Sequence, residues 1–152
     1  MRVRLAAMAD VAGIAALAER YWEFEGLGGF DRPRIEAILG NLISAPQLGA
    51  CWVAEADGRL CGYLVAVFML SLEHGGLMAE IDEVFVSEDM RSAGLGALLV
   101  TTAERGLAER GLRRLQLQLG ADNERARSFY ERHGFRPRTG YQLFDKPLRV
   151  EP

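Results

Sequence analysis

Three carboxylates, Glu80, Asp82 and Glu83, stand close together in a segment that ends Val84-Phe85-Val86. Shortly after it, Arg91-Ser-Ala-Gly-Leu-Gly-Ala97 leads into apolar residues at helical spacing, Leu98, Leu99 and Ala103. A helix that begins in such a glycine turn leaves its first N–H groups unpaired and presents the positive end of its dipole, so it suits a phosphate. Arg91 adds a fixed positive charge. Carboxylates nearby suit a cationic partner. Gly94-x-Gly96-x-x-Leu99 lacks the third glycine of a dinucleotide fingerprint, and no Gly-Lys-Ser/Thr forms a nucleotide P-loop. His74 and His133 are the only histidines and form neither a helical pair nor a cysteine cluster, so no metal site is expected.

The elements that must position these groups follow from periodicity. Val3 and Leu5 alternate with arginines as in a short strand, and Asp10 is placed to cap a helix with Val11, Ile14, Leu17 and Tyr21 on one face. Asp31, Pro33, Ile35, Ile38, Leu39 and Leu42 signal a second helix, ending near Pro46. Residues 51–56 and 60–70 read as a hairpin about Asp57-Gly58, followed by a third strand over 78–86. A two-residue turn sets Cys51 opposite Leu64 and Cys61 opposite Ala54, which puts the thiols on opposite faces as two core residues. A helix over 95–110 stops at Gly111, and Leu115-Gln-Leu-Gln-Leu119 alternates as a strand. Strand, helix and strand from Ile81 to Leu119 make a crossover unit with parallel strands. Asp122 or Asn123 caps a further helix carrying Ala126, Phe129, Tyr130 and His133, with His133 at the last carbonyls and Gly134 at the end. Residues 141–144 and 147–148 suggest a last strand. The expected fold is α+β, a single domain over 1–152, with a mixed, mostly antiparallel sheet, a central parallel crossover, and helices on both faces.

Composition is that of a globular chain: 152 residues, 49% apolar and 26% charged, with no apolar run approaching the roughly 20 residues that span a bilayer. The N-terminus meets Asp10 before a signal-peptide core could form, and two cysteines fit a reducing compartment, so a cytoplasmic location is expected. A net charge of −3 gives no general attraction to nucleic acid or anionic membrane. The charge is divided, however. Residues 1–90 carry 6 Arg against 14 acids, and residues 91–152 carry 12 basic residues against 7 acids. Such a division suits a cationic ligand meeting a polyphosphate.

The combination is more specific than its parts. An acidic strand ending Val-Phe-Val, Arg-Ser-Ala-Gly-Leu-Gly opening a helix, a strand, and then Asn123-Glu-Arg-Ala-Arg-Ser-Phe-Tyr-Glu-Arg-His-Gly-Phe135 closely resembles the GNAT superfamily of acetyl-coenzyme A-dependent N-acetyltransferases. Order and spacing agree over roughly residues 60–148. Ser92 departs from the pattern, where many members have glycine. The resemblance implies a GNAT-like fold and transfer of acetyl from acetyl-coenzyme A to a primary amine, small or peptide-borne, in a ternary complex without metal. It implies that Arg91, Ser92, Ala93, Gly94, Leu95, Gly96 and Ala97 hold the pyrophosphate, that the Phe85 and Val86 backbone pairs with the pantetheine arm, and that Asn123 lies near that arm. It makes Tyr130 the acid for the departing thiolate.

That chemistry also asks for a base, because an alkylammonium with a pKa of about 10 is not nucleophilic at neutral pH, and for an oxyanion donor. A backbone N–H at Phe85 or Val86 suits the second role. Asp82 and Glu83 rank together for the first, with Glu80 in reserve: on an unbroken strand Glu80 and Asp82 share a face and Glu83 takes the other, and a bulge would change that count. A strand carboxylate facing only water, and Tyr130 as a core aromatic, are the competing readings. Tyr21, Trp22 and Glu25 are the candidate acceptor wall, or else an ordinary amphipathic helix end. The alternatives for function are a noncatalytic coenzyme A-binding or interaction module, a longer acyl group, or a hydroxyl acceptor. Exposed strand edges are compatible with a homodimer.

Overall fold

The structure, a computed structural model, describes residues 1–150. It divides into two compact units, Met1–Gln118 and the segment from Leu119 onward. Strands β1 (Arg2–Leu5), β2 (Gly49–Ala56), β3 (Arg59–Ser71), β4 (Gly76–Val86) and β5 (Leu115–Leu117) belong to the first unit and are hydrogen-bonded in that order. β1 to β4 run antiparallel, and β5 is parallel to β4, as a crossover through a helix requires. The parallel pair therefore closes the sheet at its edge instead of lying at its centre.

Helices α1 (Val11–Glu25) and α2 (Arg32–Ser44) cover one face, where Ile14, Leu17, Leu39 and Leu42 pack with Val53, Tyr63, Val65 and Phe85. Asp31 caps α2 by accepting the Arg34 N–H at 3.1 Å, with Pro33 in the first turn where a missing N–H costs nothing. Helix α3 (Leu95–Glu109) lies on the opposite face, which carries Trp52 and Leu64 by alternation along the strands. It buries Leu95, Leu99, Val100, Ala103 and Leu107, the larger of these contributing about 1.5–3 kcal/mol each. A Cβ at Gly106 would come within 3.1 Å of the Trp52 ring, so glycine is what lets this helix sit so close to the indole.

Asp10, expected as a plain cap, does something else. Its carboxylate accepts the Ala7 N–H at 2.7 Å and both Arg4 guanidinium nitrogens at 2.7 and 2.9 Å, and Arg4 also reaches Glu55. The network ties β1, β2 and the start of α1 together. Bonding to Arg4 holds the Asp10 carboxyl below the usual aspartate range, against the opposing effect of burial.

Two bulges alter the expected registers. Glu55 pairs with Leu60 but Ala54 with Gly62, so Cys61 is an extra residue in β3. Cys51 accordingly faces Val65, not Leu64, and Ala54 faces Gly62 in place of Cys61. Both thiols are buried and free, and the Cys61 thiol donates to the Ala54 carbonyl at 3.3 Å. The second bulge falls in β4: Val65 pairs with Glu83 and Ala66 with Ile81, leaving Asp82 as the extra residue.

The second unit carries α4 (Glu124–Arg132), capped by Asn123, whose Oδ1 accepts the Ala126 N–H at 3.1 Å. His133 ends it as expected, with Nδ1–H donating to the Phe129 carbonyl at 2.8 Å, and Gly134 follows at φ 87°. The rings here touch in the order His133, Phe129, Tyr130 and Phe135, tilted at the first contact and edge-on at the other two. The last strand expected over 141–148 is not formed. Strands exist only as ladders, and residues 141–148 pair with no strand of the sheet; Arg138 instead lies over the Tyr141 ring at 4.5 Å. Without a strand there, β5 remains the outer strand of the sheet. Among the described residues no helix is long and apolar enough to cross a membrane.

Candidate active site

The β4 bulge decides which carboxylate goes where. Cross-strand partners share a face, so Glu83 opposite Val65, Phe85 opposite Tyr63 and Glu80 opposite Val67 all point toward α1 and α2. Glu83, which an unbroken strand places on the far face from Glu80, is brought to the same side by the one extra residue. There its Oε1 accepts the Trp22 Nε1–H at 2.9 Å and its Oε2 accepts the Tyr63 O–H at 2.8 Å. Burial raises the carboxyl above its ordinary pKa, while these two bonds work in the opposite direction. Asp82, on the bulge, is more exposed; partial burial and the nearby Glu80 raise its pKa as well. Glu80 is occupied otherwise, accepting from Gln116 Nε2 at 2.6 Å and Gln118 Nε2 at 3.2 Å.

Asp82 and Glu83 line one cavity of about 450 Å³ between α1, α2 and the sheet, together with Trp22, Tyr63 and aliphatic residues of α1, α2 and β3. Of the acceptor-wall candidates, Trp22 is part of this lining. Tyr21 instead packs its ring against Phe85, with centroids 6.1 Å apart, and Glu25 is exposed at the last turn of α1, away from the cavity lining. Tyr63 was not singled out in the sequence. The signal was there: one phenol in the otherwise apolar run Tyr63–Leu70 needs a buried partner for its hydroxyl.

The free edge of β4 lies next to these acids. Among the described residues β5 pairs with Ala79, Glu80 and Ile81, and the same edge is without a strand partner from Asp82 to Val86. The Ser87 N–H donates to the Cys61 carbonyl at 2.8 Å. Antiparallel alternation then turns the Phe85 amide toward β3 and the Val84 and Val86 amides toward the open edge. The Val86 carbonyl there accepts Arg91 Nε at 3.2 Å. Val84 is thus a second backbone position at this edge, which a residue count without the bulge does not reveal.

At the end of the edge the chain enters the glycine turn. Ser92 and Gly94 both take left-handed φ, 71° and 77°, and Leu95 is anchored in the core while Ser92, Ala93 and Gly94 are exposed. The first α-helical bond is Leu98 N–H to the Gly94 carbonyl at 3.0 Å, so the N–H groups of Leu95, Gly96 and Ala97 precede it, unpaired along the helix and suited to an anion. The Arg91 guanidinium lies over the rings of Phe24 at 4.6 Å and Phe85 at 5.7 Å. In the second unit, Asn123 spends Oδ1 on its helix cap, and burial raises the pKa of the half-buried Tyr130 phenol, so that it keeps its proton at neutral pH.

The profile of the acetyltransferase (GNAT) family matches residues 12–135. The chain is similar to an uncharacterized N-acetyltransferase, YhfO, of Bacillus subtilis (strain 168), with 27% identity over 148 residues that cover 93% of each protein. Among solved structures it resembles an integron cassette protein from the mobile metagenome of Cole Harbour Salt Marsh, with a TM-score of 0.85, 27% identity, and coverage of 98% of this chain and 91% of that one. It shares its fold with an aminoglycoside acetyltransferase from an uncultured soil metagenomic sample, with a TM-score of 0.82 at 18% identity, covering 97% and 96% of the two chains. With this match over most of its length, the chain belongs to the GNAT acetyltransferase family and is an acetyl-coenzyme A-dependent N-acetyltransferase.

Proposed function

We propose that the protein acetylates a primary amine, small or peptide-borne, by direct transfer within a ternary complex, with Glu83 as the group that receives the ammonium and its proton. The observation that carries this reading is the Glu83 carboxylate in the cavity lining, fixed by Trp22 and Tyr63. Burial makes it a stronger base than an exposed glutamate, and Asp82 at the bulge adds attraction for the cation. The Arg91–Ala97 turn holds the pyrophosphate of acetyl-coenzyme A, and Phe85 and Val86 flank its arm. The Val84 or Val86 N–H at the open edge polarises the thioester carbonyl.

In the reaction the ammonium gives one proton to Glu83, directly or through water. The amine nitrogen attacks the acetyl carbon, the C–N bond forms, and the C–S bond breaks with its electron pair leaving on sulfur. The thiolate takes a proton from Tyr130, the second proton of the nitrogen restores the phenol through water, and Glu83 gives the first proton to solvent; the roles of Tyr130 and Asn123 are carried over from the family motif. Overall, alkylammonium and acetyl-coenzyme A become acetamide, coenzyme A and one released proton. Direct transfer is favoured over an acyl-enzyme because burial raises both cysteine thiols, Cys51 up to about 12, which removes the nucleophilic thiolate.

Calorimetric titration with acetyl-coenzyme A should show binding, and thiol release should require an amine. Tyr130→Phe should lower turnover by about 10²–10⁴-fold with little change in coenzyme affinity. Unaltered acetylation by that variant at every pH would remove the general-acid role.

A further inference from the structure

The cavity beside Glu83 specifies more than an amine. At about 450 Å³ it is the size of a small-molecule site, and its only charged lining residues among those described are two neighbours in the chain, Asp82 and Glu83. Trp22 and Tyr63 already spend their donors on Glu83. Asn41 is the one other polar side chain in the described lining, and the remaining wall is aliphatic, contributed by residues such as Ile14, Leu39, Leu42 and Val65. Ile38, 52% exposed, carries the same apolar character out to the rim.

Resting on the function proposed above, we infer that the acceptor is a primary amine bearing a single apolar arm, alkyl or arylalkyl, and that polyamines and aminosugars are discriminated against. The ammonium meets the two carboxylates while the arm covers the aliphatic wall. Each methylene so buried favours binding roughly fourfold, from about 0.8 kcal/mol per methylene. A second ammonium, or a ring of hydroxyls, would surrender its hydration against that wall with only Asn41 to replace it.

Two readouts test this. In thiol-release assays with acetyl-coenzyme A, kcat/KM should climb roughly fourfold per methylene from propylamine to hexylamine, and hexylamine should exceed hexamethylenediamine by at least about tenfold. In calorimetry without acetyl-coenzyme A, hexylammonium should bind more tightly than hexamethylenediamine. A tetrapeptide amide beginning with leucine, run beside the free amines, distinguishes a peptide N-terminus from a small molecule as the source of the arm. Ile38→Glu puts a carboxylate on the apolar rim, outside the groups assigned to catalysis, and should narrow the preference for hexylamine over the diamine about tenfold. Chain-length independence, or a diamine or aminosugar that binds and reacts as well as hexylamine, overturns the inference. The two readings fail separately. Selective binding of hexylammonium without its acetylation supports this acceptor class and refutes the catalytic assignment, whereas efficient acetylation of diamines preserves the activity and refutes the class.

Discussion

Removing the phenol that holds Glu83 is the most direct test of the site. Tyr63→Phe deletes the 2.8 Å bond to Oε2 and leaves the Trp22 bond to Oε1 in place. A hydrogen bond to a charged group is worth about 1.5–3 kcal/mol, so losing this one should raise the Glu83 pKa further. The direction follows because the phenol favours the ionised carboxylate. In a pH profile of kcat/KM measured by thiol release, the acidic limb should move to higher pH, with the high-pH plateau reduced only modestly. Glu83→Gln should abolish the limb and lower the plateau by about 10²–10⁴-fold. Linkage supplies a second readout. The Glu83 pKa is raised in the fold, so the folded state binds its proton more readily, and this group's contribution to stability falls as pH rises from the unfolded glutamate value through the raised folded one. Tyr63→Phe should extend that decline to higher pH in denaturation curves. An acidic limb that stays where it is in Tyr63→Phe would refute Glu83 as the titrating base.

Two other perturbations probe the frame around the site. Ser92→Gly relieves a left-handed φ of 71° that costs a side chain about 1–2 kcal/mol, offset in part by the greater backbone entropy of glycine in the unfolded chain. Denaturant midpoints should show a net gain of about 0.5 kcal/mol, with affinity for acetyl-coenzyme A retained in calorimetry. Asp10→Asn breaks the nearly buried paired carboxylate, Asp10 being 8% exposed, and should cost about 2–3 kcal/mol at neutral pH. The folded pKa of Asp10 lies below its unfolded value, so its stabilisation is present above the ordinary aspartate pKa and lost as pH falls through the lowered one. The difference from wild type should therefore shrink in strongly acidic denaturation experiments; a constant difference across pH would exclude the Arg4 pair as its source.

Most of the framework was legible because it rests on local physics. Leu98, Leu99 and Ala103 repeat at helical spacing, and the run becomes α3; Asp31 and Pro33 start α2 where caps and fixed φ favour a helix start. The His133 bond to Phe129 is likewise a local helix-end interaction. The tail failed for the complementary reason: alternation at Tyr141 to Phe144 signals a strand only where another strand supplies its ladder.

The family was determined by the sequence alone, since the order of acidic strand, Arg91–Ala97 turn and Asn123–Phe135 carries it in residue types and spacing. That Glu83 joins Asp82 at the cavity was decided only by tertiary structure. Side-chain direction on a strand has a period of two, so one extra residue at Asp82 reverses every assignment beyond it, and pairing with β3 alone reveals that residue. The same insertion turns the Val84 and Val86 amides to the open edge and brings Glu83 onto Trp22 and Tyr63, residues 61 and 20 positions away in the chain. Contacts across such separations have no local signature, because they are made by the packing of α1 against β3 and β4.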